Sequence, residues 1–111
     1  MCGFITFFTS DPVLEPRFRD SQPWTGMLRH RGPDALASHA ENNAALHFAR
    51  LSILDLYPTG MQPMLSSSGR HLQVLNGEIV NHKDLTRLCT LSLRGRSDTE
   101  VLLEAAERFG P

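Results

Sequence analysis

The chain has 111 residues, of which 41% are hydrophobic and 21% are charged. This composition is typical of a folded globular protein and excludes an intrinsically disordered one. Lys and Arg number 11 and Asp and Glu number 12, a balance that gives no electrostatic basis for binding nucleic acid or an anionic membrane. The two cysteines do not form a disulfide framework, and the Cys and His residues do not have the spacing of a metal site. The sequence shows no signal peptide or transmembrane segment, so we expect a cytoplasmic protein without a metal site.

The first half of the sequence predicts two strands with irregular structure between them. The segment Gly3 to Thr9 is short, β-branched and aromatic, as expected of a buried strand. Three prolines interrupt residues 11–23, where we expect a loop, and residues 24–29 favour one or two helical turns. A Gly-Pro dipeptide predicts a turn at 30–34, and the apolar segment 44–56 predicts a strand that continues into a loop.

The second half predicts a hairpin and two helices. Ser66–Gly69 indicates the hairpin turn, 71–75 the returning strand, and Asn76-Gly77 a turn at its end, because both residues tolerate positive φ. Asn81 is the expected cap of a short helix with Leu85 and Leu88 on one side. The pair Ser97 and Glu100 has the spacing of a capping box for the last helix. Its predicted apolar stripe consists of Val101, Leu102, Ala105 and Phe109. This order of elements predicts an α+β fold with an antiparallel sheet.

Cys2 is the most distinctive residue, because it directly follows Met1. Removal of Met1 would leave a thiol and a free α-amine on the same residue, and an α-amine is partly neutral near pH 7. An adjacent N-terminal amine is one way to activate a weak nucleophile. The alternative is that Cys2 is a small buried hydrophobic residue, which is the commoner role of a lone cysteine.

Six short motifs in a fixed order favour the catalytic interpretation. They are Met1-Cys2-Gly3-Phe4, His30-Arg31-Gly32-Pro33-Asp34, Arg50-Leu51-Ser52-Ile53-Leu54-Asp55-Leu56, Gln62-Pro63-Met64, Asn76-Gly77-Glu78-Ile79 and Ser97-Asp98-Thr99-Glu100. Together they resemble the glutaminase domain of glutamine-dependent asparagine synthetases, which are class II glutamine amidotransferases and N-terminal-nucleophile hydrolases. The resemblance extends from residue 1 to about residue 104.

The resemblance implies hydrolysis of L-glutamine to glutamate and ammonia. It implies Cys2 as the nucleophile, with its own amine carrying the proton, and Asn76 with Gly77 as the oxyanion hole. The implied glutamine-binding residues are Arg50, Leu51, Ser52, Ile53, Leu54, Asn76, Gly77, Glu78 and Asp98. Arg50 would hold the substrate carboxylate in a bidentate fork, and Asp98 would pair with its ammonium, a role that Glu78 could share.

Several of these residues also have a structural alternative. Asn76-Gly77 could be an ordinary turn, and Asp98 could be an acid that favours the first turn of a helix. We expect Ile53 and Cys89 to lie in the core. The segment 30–34, Asp55 and Gln62 are expected to brace the site rather than contact the substrate.

The family's glutaminase domain is a four-layer αββα sandwich with antiparallel sheets, and it continues beyond the length of this chain. We therefore expect residues 1–111 to be an incomplete, N-terminal portion of it, with marginal stability alone and with the synthetase domain absent. No cofactor is implied for this segment, whereas ATP and Mg are implied for the absent domain, where ammonia would react with activated aspartate. The implied partners are L-glutamine and the C-terminal synthetase domain, in a parent protein for which a homodimer is one implied assembly.

Two alternatives to an asparagine synthetase stay open. Glucosamine-phosphate synthases and phosphoribosylpyrophosphate amidotransferases share this type of glutaminase but use a different acceptor, although residues 50–53 and 62–64 look like the asparagine synthetase branch. An inactive truncated remnant is the second alternative. The chain departs from the family pattern at Phe48, where a His is frequent, and at Val80, where a Tyr is usual.

Overall fold

The computed structural model describes residues 1–53 and 55–111, with the side chains of Ser21 and Gln22 outside the description. The described residues form two compact units, Met1–Leu51 and Ser52–Pro111. Each unit combines helices with antiparallel strands, which confirms the predicted α+β class. Within the described part of the chain, no helix has both the length and the apolar character needed to cross a membrane.

A three-stranded antiparallel sheet forms the centre of the first unit. Strands β1 (Gly3–Phe8) and β2 (Ala35–Glu41) flank β3 (Ala44–Arg50), in the order β1-β3-β2. The central strand is buried from its second residue to its last, as expected of a strand paired on both edges. The predicted first strand is confirmed, but its burial is not, because Phe8 is 74% exposed.

Strand β2 was not predicted from the sequence. It is rich in Ala, Ser and His, which have little preference for strands, so its extended conformation depends on pairing with β3. Asn42 connects the two strands with a φ of 50°, in the left-handed region that Asn tolerates better than most residues. The Asn42-Asn43 dipeptide was the local signal for this hairpin.

Two helices occupy a region where a loop was expected. Helix α1 (Glu15–Arg19) has Pro16 in its first turn, and α2 (Ser21–Leu28) has Pro23 in its first turn. Proline is tolerated there because the first N–H groups of a helix have no intrahelical acceptor. The prolines therefore begin helices instead of interrupting them. The loop prediction is wrong from residue 15 onward, whereas helical turns after residue 24 are confirmed as far as residue 28.

Aromatic side chains join these helices to the sheet. The ring of Phe7 on β1 stacks on Phe18 with centroids 4.3 Å apart and lies 4.8 Å from the indole of Trp24. His47 on β3 is fully buried, with Nε2 2.7 Å from the carbonyl of Phe18 and Nδ1 2.8 Å from the hydroxyl of Ser38. His47 is therefore a core residue, with both ring nitrogens hydrogen-bonded.

The second unit contains a short hairpin and two helices. Strands β4 (Met64–Leu65) and β5 (Leu72–Gln73) pair antiparallel, which confirms the hairpin, and a 3₁₀ turn spans Pro58–Gly60. Helices α3 (His82–Leu88) and α4 (Asp98–Phe109) follow.

Helix α3 differs from its prediction in how it is capped and in which residues it buries. Asn81 is the N-cap residue, but its side chain makes no capping hydrogen bond. Leu88, predicted to share one side of the helix with Leu85, is 81% exposed. Cys89 is only half-buried, so it is not the core residue expected. The carbonyl of Cys89 instead accepts a hydrogen bond from Arg108 on α4.

Helix α4 begins as predicted but buries a different face. Ser97 caps it by accepting from the N–H of Thr99 at 3.1 Å. Glu100 does not complete the capping box, since its carboxylate accepts from the backbone of residues 94 and 95 at 2.8 Å. Val101 and Leu103 are 1% exposed, whereas the predicted stripe residues Leu102 and Phe109 are 40% and 66% exposed. The buried face is turned toward loops whose N–H groups need the carboxylates of Glu100 and Glu104 as acceptors.

Candidate active site

Cys2 lies at the end of the three-stranded sheet, one residue before β1. The antiparallel register pairs Gly3 with Ala49, so Cys2 meets the chain just after that point. Its Sγ lies 3.3 Å from the backbone nitrogen of Leu51, which donates to it, and 3.4 Å from the carbonyl oxygen of the same residue. A thiol can donate to this carbonyl and a thiolate can accept from this N–H. Both protonation states of the sulfur therefore have a backbone partner.

Arg50 immediately precedes this contact and is the last residue of β3. It is only 7% exposed, and its carbonyl accepts a hydrogen bond from the N–H of Asp34 at 3.1 Å. A guanidinium stays charged when buried and presents several donors in a planar fork. The end of β3 therefore carries a cation suited to a carboxylate, next in sequence to the residue that contacts the thiol.

The segment 30–34 braces this end of the sheet. Arg31 donates from Nε to the carbonyl of Cys2 at 3.3 Å. A Cβ on Gly32 would lie 2.3 Å from the carbonyl carbon and oxygen of Ala49 and 2.5 Å from the nitrogen of Arg50. Only glycine permits this close approach to β3. The segment thus contacts the backbone of Cys2 and the end of β3, as a bracing segment would, and its support of catalysis stays a prediction.

Asn76, Gly77 and Glu78 lie in the second unit, between β5 and α3. Asn76 is half-buried, and the other two residues are exposed. The chain bends at Gly77, but among the described glycines positive φ occurs at Gly69 and Gly110, so this bend does not use the positive φ that glycine tolerates. A Cβ on Gly77 would meet only Leu75 Cδ1, at an ordinary 3.6 Å. Neither backbone conformation nor packing within the described residues requires glycine here.

Asp98 is buried at the start of α4, with 6% exposure. Its Oδ2 accepts from the N–H of Ile79 at 2.7 Å, and its Oδ1 accepts from the N–H of Thr99 at 2.9 Å. A carboxylate has about four acceptor positions, so these two bonds leave it capacity for a further donor. Asp98 thus holds the residue that follows Glu78 in the chain.

Asp55 makes bracing hydrogen bonds within the second unit, while its predicted support of the site stays a prediction. Its Oδ1 accepts from the N–H of Tyr57 at 2.9 Å, and its Oδ2 accepts from the hydroxyl of Thr59 at 3.0 Å and the N–H of Arg96 at 3.1 Å. These bonds hold the loop that leads into α4. Gln62 makes a second set of bracing contacts, to Leu75 and to Thr99.

The remaining predicted pocket residues form the connection after β3. Leu51 and Ser52 are half-buried. Ile53 is 70% exposed, so the expectation that it fills the core is wrong. Leu54 lies outside the described residues. Within the described part of the chain, no cluster of three or more His, Cys, Asp or Glu side chains is arranged to hold a metal ion.

The whole chain, residues 1–111, matches the family model of the glutamine amidotransferase domain. The chain belongs to this family. The earlier resemblance is therefore confirmed at the level of the domain, by a match that covers both of the compact units described above.

Characterised relatives of this glutamine amidotransferase domain are named as asparagine synthetases. Asparagine synthetase B [glutamine-hydrolyzing] of Escherichia coli K12 is 38% identical over 87 residues, covering 77% of this chain and 16% of the relative. The root enzyme of Pisum sativum is 33% identical over 112 residues, covering 99% and 19%. Asparagine synthetase [glutamine-hydrolyzing] 2 of Bacillus subtilis 168 is 38% identical over 113 residues, covering 99% and 15%. The chain thus spans less than a fifth of the length of each relative.

Proposed function

We propose that this glutamine amidotransferase domain hydrolyses L-glutamine to glutamate and ammonia, with Cys2 as the nucleophile once Met1 has been removed. The observation that carries the proposal is the position of Cys2 Sγ, against the N–H and carbonyl of Leu51 and beside the end of β3 that bears buried Arg50. Met1 is 72% exposed, so it is accessible to an aminopeptidase. Its removal would create the α-amine that the mechanism needs.

In this mechanism the Cys2 thiolate attacks the side-chain amide carbon of glutamine, and the α-amine takes up the thiol proton. Collapse of the tetrahedral intermediate forms a thioester and breaks the C–N bond, with the amine returning the proton to the departing ammonia. Water then hydrolyses the thioester to glutamate and frees the thiol. The Asn76 side chain and the Gly77 N–H would stabilise the oxyanion in both steps, and the small size of Gly77 suits close approach of a ligand.

The zwitterionic end of the substrate would be bound by opposite charges. Arg50 would bind the α-carboxylate, and Asp98 with Glu78 would bind the ammonium. The backbone from Leu51 through Ser52 and Ile53 to Leu54 would line the pocket. The remaining acceptor capacity of Asp98 and the burial of Arg50 support these roles.

The names of the relatives favour activated aspartate over other ammonia acceptors. ATP and Mg would then act in a part of the enzyme beyond these residues, and the product would be asparagine. We also propose a cytoplasmic location and the four-layer αββα sandwich of N-terminal-nucleophile hydrolases as the complete fold. The three-stranded sheet of the first unit is compatible with one edge of such a sandwich.

Replacing each cysteine in turn tests the proposal in the polypeptide at its natural length. We expect Cys2→Ala to lower glutaminase activity by at least about a thousandfold, because the nucleophile is lost. Cys89→Ala is the matched control and should retain activity within about threefold, since half-buried Cys89 lies at the end of α3. Intact-mass and peptide mass spectrometry should show loss of Met1 and an adduct of a glutamine-like electrophile on Cys2. Full activity of Cys2→Ala, or an active protein that retains Met1, would contradict the mechanism.

A further inference from the structure

We infer that Gln62 is a positioning residue for catalysis, because it holds the segment carrying Asn76 and Gly77 against the start of α4, which carries Asp98. The inference rests on the proposed function and deepens it. It concerns a residue that contacts neither the substrate nor the nucleophile in the proposed mechanism.

Gln62 is buried, with 6% exposure, and both ends of its side-chain amide are used. Its Oε1 accepts from the N–H of Leu75 at 2.6 Å, while its Nε2 donates to the carbonyl of Leu75 at 3.3 Å. The same Nε2 also donates to the hydroxyl of Thr99 at 3.2 Å. The amide therefore bonds to both backbone groups of Leu75, as a neighbouring strand would, and ties that residue to α4.

Hydrogen bonds hold the chain on both sides of the predicted oxyanion segment, residues 76–78. Leu75 directly precedes Asn76, and Ile79 directly follows Glu78. Gln62 holds the first of these anchors, and Asp98 holds the second through its 2.7 Å bond to the Ile79 N–H. Gln62 is in turn hydrogen-bonded to Thr99, so both of these contacts connect to the first two residues of α4, Asp98 and Thr99. Residues 76–78 are thus held at both ends by one helix start.

Holding residues 76–78 at both ends matters to the reaction, because stabilisation of the oxyanion depends on hydrogen-bond donors that are in position before the charge develops. Loss of one donor of this kind costs about 10²–10³ in kcat, and a displacement of about 1 Å can cost about 10². A displaced Leu75 would move Asn76, its neighbour in the chain. We therefore expect loss of the Gln62 amide to lower kcat by about 10- to 100-fold, with a smaller effect on substrate binding.

Only glutamine satisfies all three bonds at this position. Glutamate has the same shape but no N–H, so it loses both bonds from Nε2 and places a charge against the carbonyl of Leu75. Methionine has a similar volume but leaves both backbone groups of Leu75 without this partner. Gln73 provides the matched control, because its Nε2 donates to the carbonyl of Thr99 at 3.3 Å from strand β5.

The test compares Gln62→Met, Gln62→Glu and Gln73→Met in the polypeptide at its natural length. Glutaminase kinetics should show a kcat about 10- to 100-fold below the wild-type value for both Gln62 variants, with KM for glutamine within about threefold of wild type. For the Gln73→Met control, both kcat and KM should stay within about threefold of the wild-type values. Cys2 should also be labelled with two electrophiles. A diazoketone analogue of glutamine needs the oxyanion donors, whereas iodoacetamide does not. The diazoketone rate should fall at least about tenfold while the iodoacetamide rate stays within about twofold.

The outcomes separate the inference from the function on which it rests. Unchanged kcat in both Gln62 variants, or an equal fall in both labelling rates, overturns the positioning role while wild-type activity keeps the proposed function. Wild-type protein without glutaminase activity or Cys2 labelling overturns the proposed function itself. If Gln62→Met is insoluble, Gln62→Glu decides by the same comparison of the diazoketone and iodoacetamide labelling rates. If both Gln62 variants are insoluble while Gln73→Met is soluble, the inference is overturned, because Gln62 then has a purely structural role.

Discussion

Gly32 provides the sharpest test of how the end of the sheet is built. In a Gly32→Ala variant the new Cβ would lie 2.3 Å from the carbonyl carbon and oxygen of Ala49 and 2.5 Å from the nitrogen of Arg50. These atoms belong to the backbone of β3, which pairs with a strand on each side and cannot move without disturbing both ladders. The loop must therefore move away from the strand.

The expected cost follows from two contributions. Insertion of a methyl group into a packed site typically costs about 1–3 kcal/mol. Displacement of the loop also threatens the bond from the Asp34 N–H to the Arg50 carbonyl, which is worth about 1 kcal/mol. We expect Gly32→Ala to lower the free energy of unfolding by about 2–4 kcal/mol in total. It should also lower glutaminase activity, because Arg31 contacts the Cys2 carbonyl from the same loop.

Gly26→Ala is the matched control for this substitution. Gly26 lies within α2, and a Cβ there would have nothing within 4 Å. Alanine is favoured over glycine inside a helix, so this variant should gain about 0.5–1 kcal/mol. The two variants make the same chemical change with opposite expected signs.

Hydrogen–deuterium exchange measured by mass spectrometry suits this comparison, because peptides from β1 and β3 report on this sheet alone. Where exchange proceeds through opening of the sheet, a loss of 2–4 kcal/mol corresponds to exchange that is roughly 30- to 1,000-fold faster. Exchange of Gly32→Ala within about threefold of the wild type would refute the steric reasoning. So would equal effects of Gly32→Ala and Gly26→Ala.

Two further predictions concern the second unit. Leu103→Ala should lower the free energy of unfolding in urea by about 2–5 kcal/mol, and Leu102→Ala by less than about 1 kcal/mol, because these neighbours are 1% and 40% exposed. Equal losses in the two variants would contradict the buried face assigned to α4. Hydrogen bonds, first from Arg70 and then from Ser68 and Ser66, lower the pKa of Glu107 from 4.5 to about 2. Its contribution to stability should therefore be complete above about pH 4.5 and disappear as the pH falls to about 2. Unfolding curves of Glu107→Gln should show a weaker pH dependence in this range, and an unchanged profile would argue against the contact.

Elements with strong local signals could be predicted from the sequence. The serines with Gly69 marked the hairpin between β4 and β5, and Ser97 marked the start of α4, because turn and capping chemistry depends on a few adjacent residues. The motifs around Cys2 and Asn76 indicated the family, which the match over residues 1–111 confirms.

Elements that depend on distant partners were missed or misplaced. Strand β2 has weak local preference and is extended because it pairs with β3. The orientation of α4 was misjudged because Glu100 and Glu104 are buried, at 1% and 7% exposure, where hydropathy places them outside. Their carboxylates accept backbone N–H groups from loops, and this satisfies the polar groups that burial would otherwise penalise.

The sequence by itself determined which side chains the proposed mechanism can use: a cysteine directly after Met1, Arg50 for a carboxylate, and Asn76 with Gly77 for an oxyanion. Only the tertiary structure decided which distant residues contact these side chains and the segments that carry them. Cys2 meets Leu51 across 49 residues, Gln62 meets Leu75 across 13, and Asp98 meets Ile79 across 19. Such contacts follow from strand register and from the closure of loops, which side-chain patterns within one segment do not specify.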